Sequence, residues 1–391
     1  MEKKRKFLFV SLTGLVGDIA WQVAKEGHEV RYFIGDPEEK DIADGFVPKT
    51  DDWEKDVDWA DVVVFDDTLG QGEKAQGLRG SGKPVVGGTP YTDRLEDDRS
   101  FGQEELKKAG VSIIPYREFE SFDEAIQHVS DNPGRYVIKP SGAAGNVKRR
   151  LFVGDEEDGR DVIRMLEAYK KAFSEEIKVF QLQKRVVGVE VAVGAFFNGK
   201  SFVHPINVNF EHKKLFPGNI GPPTGEMGTS MFWSEPNRVF NQTLLKMEAR
   251  LAEEGYVGYI DVNCIVNNNG IYPLEFTSRF GYPSIFIQQE GMITPIGHFL
   301  WDLAHGLDPK LKVKSGFQVG VRIVMPPFPF DDDATFDSFS RNSVIVFKKG
   351  APEEVHIEDA KIVEGQWLVA GTSGVVLTVV GLKLHNWGYL R

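Results

Sequence analysis

The chain has 391 residues, 41% of them hydrophobic and 27% charged, with a formal net charge of −12. That length exceeds one core of usual size and predicts two to four domains. The acidic balance excludes a basic nucleic-acid stripe, so no direct duplex binding is expected.

The basic start Lys3-Lys4-Arg5-Lys6 precedes only four apolar residues, too few for a signal peptide core, and no apolar run reaches the length of a membrane span. No membrane association is expected. A single cysteine excludes an internal disulfide framework and fits a reducing compartment, which predicts a cytoplasmic setting.

Residues 6–90 read as alternating strands and helices. Phe7-Leu8-Phe9-Val10 is a short buried strand, followed by a loop with Gly14 and Gly17 and a helix from about Asp18 to Glu26. Gly27 ends that helix and Glu29 to Ile34 forms the next strand. Asp61 to Phe65 and Pro84 to Gly88 are further strands. Such alternation predicts a parallel sheet with helices on its faces, so the fold class is α/β within an α+β multidomain chain. A dinucleotide site with Asp36 on a ribose would need glycine at position 12, which is Leu12, and a plain strand-to-helix turn fits better.

A helix around Gln103 to Lys108 follows, then a strand Val111 to Pro115 and a helix from about Ser121 to Val129, which Ser121 and Glu124 begin as a capping box. Tyr136 to Pro140 is a strand that runs into Ser141-Gly142-Ala143-Ala144-Gly145-Asn146. A charged helix, about Gly159 to Phe173, leads to strands between Ile177 and Phe197, and a helix spans roughly Val239 to Glu254. Beyond Gln318 the pattern is strand-rich, with Gly371-Thr372-Ser373-Gly374 turning into Val375 to Gly381. The expected domains are 1–95, a connecting helical stretch 96–134, then 135–198, 199–317 and 318–391.

Two strands stand out because polar residues alternate with apolar ones. Tyr259-Ile260-Asp261-Val262-Asn263-Cys264 and Leu274-Glu275-Phe276-Thr277 flank Asn267-Asn268-Asn269-Gly270, and Asn-Gly is a hairpin signal. The hairpin is expected to bury Ile260, Val262, Cys264, Leu274 and Phe276 and to present Asp261, Asn263, Glu275, Thr277 and Arg279. Cys264 therefore reads as a buried structural thiol rather than a nucleophile. A carboxylate and a guanidinium on one face suit a metal–phosphate complex. Lys139, at a strand end before a small-residue loop, suits phosphate oxygens; Glu190, opposite Val189, Val191 and Val193, suits ribose hydroxyls, with main chain near Gln183 to Arg185 reading a base edge. Each of these two alone equally describes a solvated surface residue.

In their order these elements resemble the ATP-grasp ligases, most closely the phosphoribosylamine–glycine ligase (glycinamide ribonucleotide synthetase) family. Glu211-His212-Lys213 is similar to that family's Asp-His-Lys, Gly221-Pro222-Pro223-Thr224-Gly225-Glu226-Met227-Gly228 to its Gly-Pro-Asn-Thr-Gly-Gly-Met-Gly substrate loop, and Leu274 to Gly281 to its Leu-Glu-Phe-Asn-x-Arg-Phe-Gly metal strand. The segment Trp367 to Leu382 resembles its terminal Gly-Gly-Arg-Val-Leu stretch.

The resemblance implies an ATP-grasp fold with a Rossmann-like N-terminal domain, ATP as co-substrate, magnesium or manganese, and a place in purine biosynthesis. It implies ATP contacts from Lys139, Ser141, Gly142, Gly145, Gln183, Arg185 and Glu190, and metal ligation by Asp261, Glu275 and Thr277. Arg279 and Lys213 would be catalytic, and Gly14, Gly17, His212, Pro223, Thr224, Gly225, Glu226, Met227 and Gly281 would meet small-molecule amino acid and amine substrates. A monomer or homodimer is expected.

The first loop departs from the family's Gly-x-Gly-Gly-Arg-Glu-His-Ala: it reads Ser11-Leu12-Thr13-Gly14-Leu15-Val16-Gly17-Asp18, and Asp18 would repel a phosphate unless a cation intervened. Pro223, Glu226, Thr277, Tyr282 and Ser284 are further departures, so the ATP half is retained better than the amine half. The leading expectation is a ligase joining glycine to phosphoribosylamine through an acyl phosphate. The alternatives are the same chemistry on another amine, such as a modified nucleotide, and a nucleotide-binding protein without ligase activity.

Overall fold

The computed structural model describes residues 3–141, 151–330, 332–348 and 355–383. By its contacts the chain divides into two compact bodies, one formed by residues 1–97, 191–262 and 276–391 and the other by 98–190 and 263–275. Among the described residues no helix is long and apolar enough to cross a membrane.

The first body opens as the alternating pattern predicts. Strands Lys6–Ser11, Glu29–Ile34, Val62–Phe65 and Val85–Val86 form a parallel sheet in which Lys6–Ser11 lies between Glu29–Ile34 and Val62–Phe65. Near-continuous apolar runs suit strands covered on both faces. Phe7 and Phe9 join one core and Leu8 and Val10 the other. Helix Gly17–Lys25 buries Ile19, Ala20 and Val23 against the sheet.

A further sheet is antiparallel and has eight strands. Its order is Gly270–Thr277, Val257–Asn267, Val189–Asn198, Ile206–Phe216, Ile220–Ser234, Phe317–Val324, Val375–Lys383 and Val355–Ile357. Helix Ser284–Gly291 covers one face, where Ile287 packs with Met231 and Val380. A small sheet of Val344–Ile345, Gln366–Val369 and Ala360–Val363 completes the strand-rich tail.

Several local expectations are corrected. The helix expected over Val239 to Glu254 is three pieces, Arg238–Gln242, a tight 3₁₀ turn Leu244–Met247 and Glu248–Glu253. Thr243 interrupts it: its hydroxyl bonds back to the Val239 carbonyl at 2.6 Å, and its backbone leaves helical geometry. The hairpin turn is Asn268-Asn269, not Asn269-Gly270; Asn267 closes it by accepting from the N–H groups of Asn269 and Gly270. Neither face of Val257–Asn267 is open through Cys264, so Asp261 and Asn263 are buried as well as Ile260 and Val262, while Leu274 is only half-buried.

In the second body, Tyr116–Phe119, Phe180–Lys184, Tyr136–Pro140 and Phe152–Val153 form an antiparallel sheet in that order. Helices Phe122–Asp131 and Arg160–Phe173 pack on it through Ala125, Val129, Val162 and Leu166. Ser121 caps the first helix as its sequence predicts. The strand expected over Val111 to Pro115 lies instead at Tyr116–Phe119, because Pro115 cannot donate to a ladder and pairing begins after it.

Candidate active site

The hairpin strands bring Asp261 to the centre of a buried polar group. Asp261 is 4% exposed and its Oδ1 has no hydrogen-bond partner. Burial pushes its carboxyl well above the usual range, the neighbouring charge of Glu211 raises it further, and hydrogen bonds from Tyr259 and Thr277 pull it down. The Tyr259 hydroxyl also lies 3.1 Å from Asn207 Oδ1, an alternative acceptor for its one proton. Gly194 makes room for this arrangement, since a Cβ there would overlap the Tyr259 ring.

Glu226 is a second buried acid of the same body. It accepts from Thr229 and from Ser284 Oγ at 3.3 Å, and burial followed by the charge of Glu211 pushes it up to about 8. Glu211 thus presses on two carboxylates, and the Lys213 ammonium lies 3.2 Å from Glu211.

Arg279 is not on the strand face that alternation predicts. The strand ends at Thr277, and the chain turns so that Ser278 donates its N–H to Glu96 at 2.8 Å. The Arg279 Nε then lies 3.0 Å from Glu96 and 3.1 Å from Asp67. Burial works against its charge, yet these two acids outweigh burial and hold the guanidinium above its ordinary range. Asp67 stands two residues after the strand Val62–Phe65, at the carboxyl end of a parallel strand, where open α/β sheets bind ligands. Asp66 beside it is fully buried and pushed up to about 7 by burial and then by Asp67.

The segment expected as a substrate loop, residues 221–228, is instead part of the strand Ile220–Ser234, paired with Ile206–Phe216. Backbone pairing explains this: Lys214 opposes Pro223 and His212 opposes Gly228, with register shifts between them. Thr224 donates to the Lys213 carbonyl at 2.9 Å, Met227 is buried, Gly225 is exposed, and His212 Nε2 lies 3.0 Å from the Phe216 carbonyl. Gly281 accepts from the Ile285 N–H as the chain enters helix Ser284–Gly291.

In the first loop Gly14 has φ +90, and its N–H donates to Ser11 Oγ at 2.8 Å. Gly17 starts its helix. Asp18 is buried, and Nδ1 of His356, a side chain from the tail, lies 2.7 Å from its Oδ2.

In the second body Lys139 is 7% exposed on its strand and pairs in register with Gln181. Ser141 donates its N–H to the Val179 carbonyl, while Gly142 and Gly145 lie outside the described residues. Gln183 is buried, and Arg185 bonds to Asp155 and to the Gly154 carbonyl. Glu190 is exposed, and Val189 is exposed beside it rather than buried, because the strand is covered only from Val191, after which every residue to Asn198 is buried. Glu275 pairs with Arg99 at 2.8 Å.

Sequence reading did not single out Glu96, Asp67 or Arg99. The acidic run Glu96-Asp97-Asp98 before Arg99, and the Asp66-Asp67 pair closing an apolar strand, were the available signals.

A divalent cation fits the Asp261 position, since a carboxylate with an orphaned oxygen, raised by burial and then by like charge, is what a cation would relieve. Among the described residues no three His, Cys, Asp or Glu side chains group to hold a metal on their own. One or two carboxylates completed by substrate phosphates is the usual arrangement for magnesium.

Residues 97–285 match the family described as Phosphoribosylglycinamide synthetase, ATP-grasp (A) domain. A phosphoribosylamine–glycine ligase of Lactococcus lactis is 27% identical over 260 residues, covering 63% of this chain and 60% of that protein. One from Methanocella arvoryzae is 26% identical over 79% of this chain and 71% of its own. The chain thus spans about three-fifths of the Lactococcus protein it matches.

The crystal structure of phosphoribosylamine–glycine ligase from Thermotoga maritima superposes with a TM-score of 0.69 at 20% identity, over 97% of this chain and 92% of that one. A Campylobacter jejuni biotin carboxylase complex gives 0.65 at 14% identity, over 97% of this chain and 88% of that one. These likenesses extend the fold to nearly the whole chain. Residues 97–285, which carry Asp261, Thr277 and Arg279, are thus similar to the ATP-grasp domain of the phosphoribosylglycinamide synthetase type, and the fold of a solved ligase extends over nearly the whole chain.

Proposed function

We propose that the protein is an ATP-dependent carboxylate–amine ligase, with glycine and phosphoribosylamine as its default pair. The buried Asp261 carries this reading: it has an orphaned oxygen and lies within a segment matching a family of that chemistry. In the reaction the substrate carboxylate attacks the γ-phosphorus of ATP, the bond to ADP breaks, and an acyl phosphate forms. The amine then attacks the acyl carbon, loses a proton and expels phosphate, giving an amide. Positioning and charge neutralisation suffice for such a transfer.

Asp261, Thr277 and Glu275, the last two residues apart on one strand, are the proposed metal ligands. Bound magnesium or manganese would supply charge neutralisation on the phosphates. Arg279, preset by Glu96 and Asp67, would stabilise the phosphoryl group in transfer, and Arg99 would orient Glu275. Lys139, Ser141, Gly142, Gly145, Gln183, Arg185 and Glu190 are the proposed ATP contacts. Lys213, His212, Gly14, Gly17, Gly281 and the 223–227 segment are proposed for the amine and amino acid. A cytoplasmic setting in purine biosynthesis goes with this reading.

One observation favours a second reading with another amine. The Gly14 N–H donates to Ser11 Oγ, which removes that donor of the first loop from any phosphate. Following ADP and product mass with glycine plus phosphoribosylamine, then with the other amino acids and amines, separates the two. Turnover of the default pair supports the first reading; silence there with turnover elsewhere supports the second; no ADP with any amine defeats both.

A further inference from the structure

Two departures from the family pattern, Glu226 and Ser284, meet in the fold. Ser284 Oγ lies 3.3 Å from Glu226 Oε1 and 3.5 Å from Oε2, and the Thr229 hydroxyl donates to the same carboxylate. Glu226 is 8% exposed, and Ser284 and Thr229 are buried with it. Where the family's substrate loop carries glycine, this chain builds a held carboxylate. The contact needs both residues.

The cations around that carboxylate serve other acids. From the strand Phe317–Val324 the Arg322 charge reaches Glu226, but its Nη2 donates to Glu358 at 2.8 Å. Its Nη1 lies 3.4 Å from the Glu226 carbonyl rather than the carboxylate. From the strand Ile206–Phe216, Lys213 lies 3.2 Å from Glu211. Two hydroxyl donors and the like charge of Glu211 thus surround Glu226. Left so, the buried carboxyl keeps its proton, and it ionises when a cation is brought to it.

The same group borders the proposed reaction. Glu211 raises both Glu226 and Asp261, so a single acid acts on this carboxyl and on the candidate metal ligand. Gly225, next to Glu226 in the chain, is exposed, so this stretch of strand meets solvent.

We propose that Glu226, held by Ser284 and Thr229, is a specificity-determining residue that binds a primary ammonium group of a substrate. The inference rests on the ligase reading, which puts an amino acid and an amine at the 223–227 segment. A loop with glycine at this position has no charge to offer, so the charge class comes from this chain's own contacts. The α-ammonium of the amino acid and a cationic group on the acceptor are the two sources of that chemistry. As the ammonium binds, the carboxyl releases its proton to solvent and a buried ion pair forms. A neutral hydroxyl in the same place leaves the carboxyl protonated and gains an ordinary hydrogen bond, which is roughly half as strong.

Isothermal titration calorimetry on the full chain, with magnesium and ADP, compares probes that differ only in that group. Glycine against glycolate reports the amino acid, and ethanolamine against ethylene glycol reports the amine. Wild type is expected to prefer the ammonium member of at least one pair by about 10–100-fold, and that pair identifies the source. In Glu226→Gln the preference should vanish while the hydroxyl member binds as before. Glu226→Gly combined with Ser284→Glu returns a carboxylate to the same space and should restore part of the preference. Far-UV circular dichroism checks that each variant is folded. Equal affinity for both members of each pair in wild type, or no binding by any of them, overturns the proposal. So does an undiminished preference in folded Glu226→Gln. Failure to form ADP with any amine defeats the ligase reading and leaves this comparison standing.

Discussion

His356 Nδ1 stands 2.7 Å from Asp18 Oδ2, both side chains buried, and the Ile357 N–H donates to the other carboxylate oxygen at 3.1 Å. The His356 ring also stacks on Phe286, centroids 5.4 Å apart. Asp18 lies in the first turn of helix Gly17–Lys25, where a negative charge is favoured. The carboxylate that looked like an obstacle to phosphate binding is a fixed part of the packing.

Replacing His356 by Ala should therefore leave a buried carboxylate with one backbone donor and cost about 3 kcal/mol. Urea denaturation measures this directly. A loss below about 1 kcal/mol, typical of an exposed pair, would show that the contact is not structural.

Asp261→Asn should lower ADP formation by about 10²–10³-fold, the usual cost of losing one electrostatic group in a transferring site. In wild type, magnesium with ATP should raise the melting temperature by mass action. The variant should keep its own melting temperature while losing the magnesium-dependent part of that rise. A full rise in the variant would remove Asp261 from the metal site.

Arg279→Ala removes the counter-charge of both Glu96 and Asp67. We expect a stability loss of about 3 kcal/mol alongside loss of turnover, because two acids are left facing each other. Arg279→Lys should restore part of the stability and little of the turnover, since an ammonium lacks the planar fork. Equal recovery of both would argue that the residue acts through charge alone.

Glu226, raised to about 8 by burial and by Glu211, predicts a pH-dependent stability. Its folded form holds a proton that the unfolded chain releases at ordinary carboxylate pH. Stability from this group is therefore present below the unfolded value and fades as pH rises toward about 8. Glu226→Gln keeps the hydrogen-bonding shape without the charge. Its melting temperature relative to wild type should rise between pH 5 and pH 8.5, and a flat difference would show that Glu226 is ionised throughout.

The sequence was most legible where period and burial agree. The parallel strands from Phe7 to Val86 and the strand Tyr136–Pro140 follow their apolar runs, and Ser121 caps its helix as its spacing predicts. Asp261, Glu275 and Thr277 could be read onto one hairpin because the Asn267 to Gly270 turn signal lies between its two strands, although burial on Val257–Asn267 does not alternate. Legibility ended where a residue's partner is remote. Nothing local near Arg279 points to Glu96 or Asp67, and nothing near Asp18 points to His356. Thr243 breaks its helix by a hydrogen bond that apolar periodicity does not register. Residues 221–228 were expected as a loop from their resemblance to a family substrate loop, yet strand pairing absorbs them through register shifts.

The body that begins the chain is assembled from three separated stretches, the last starting at Phe276. During vectorial synthesis its opening residues leave the ribosome long before the stretches that complete their core. Asp18 waits for a partner 338 positions downstream. Contacts of that sequence separation slow folding and leave early segments exposed meanwhile. A nascent chain arrested before His356 should accordingly recruit chaperones, whereas one released at full length should not.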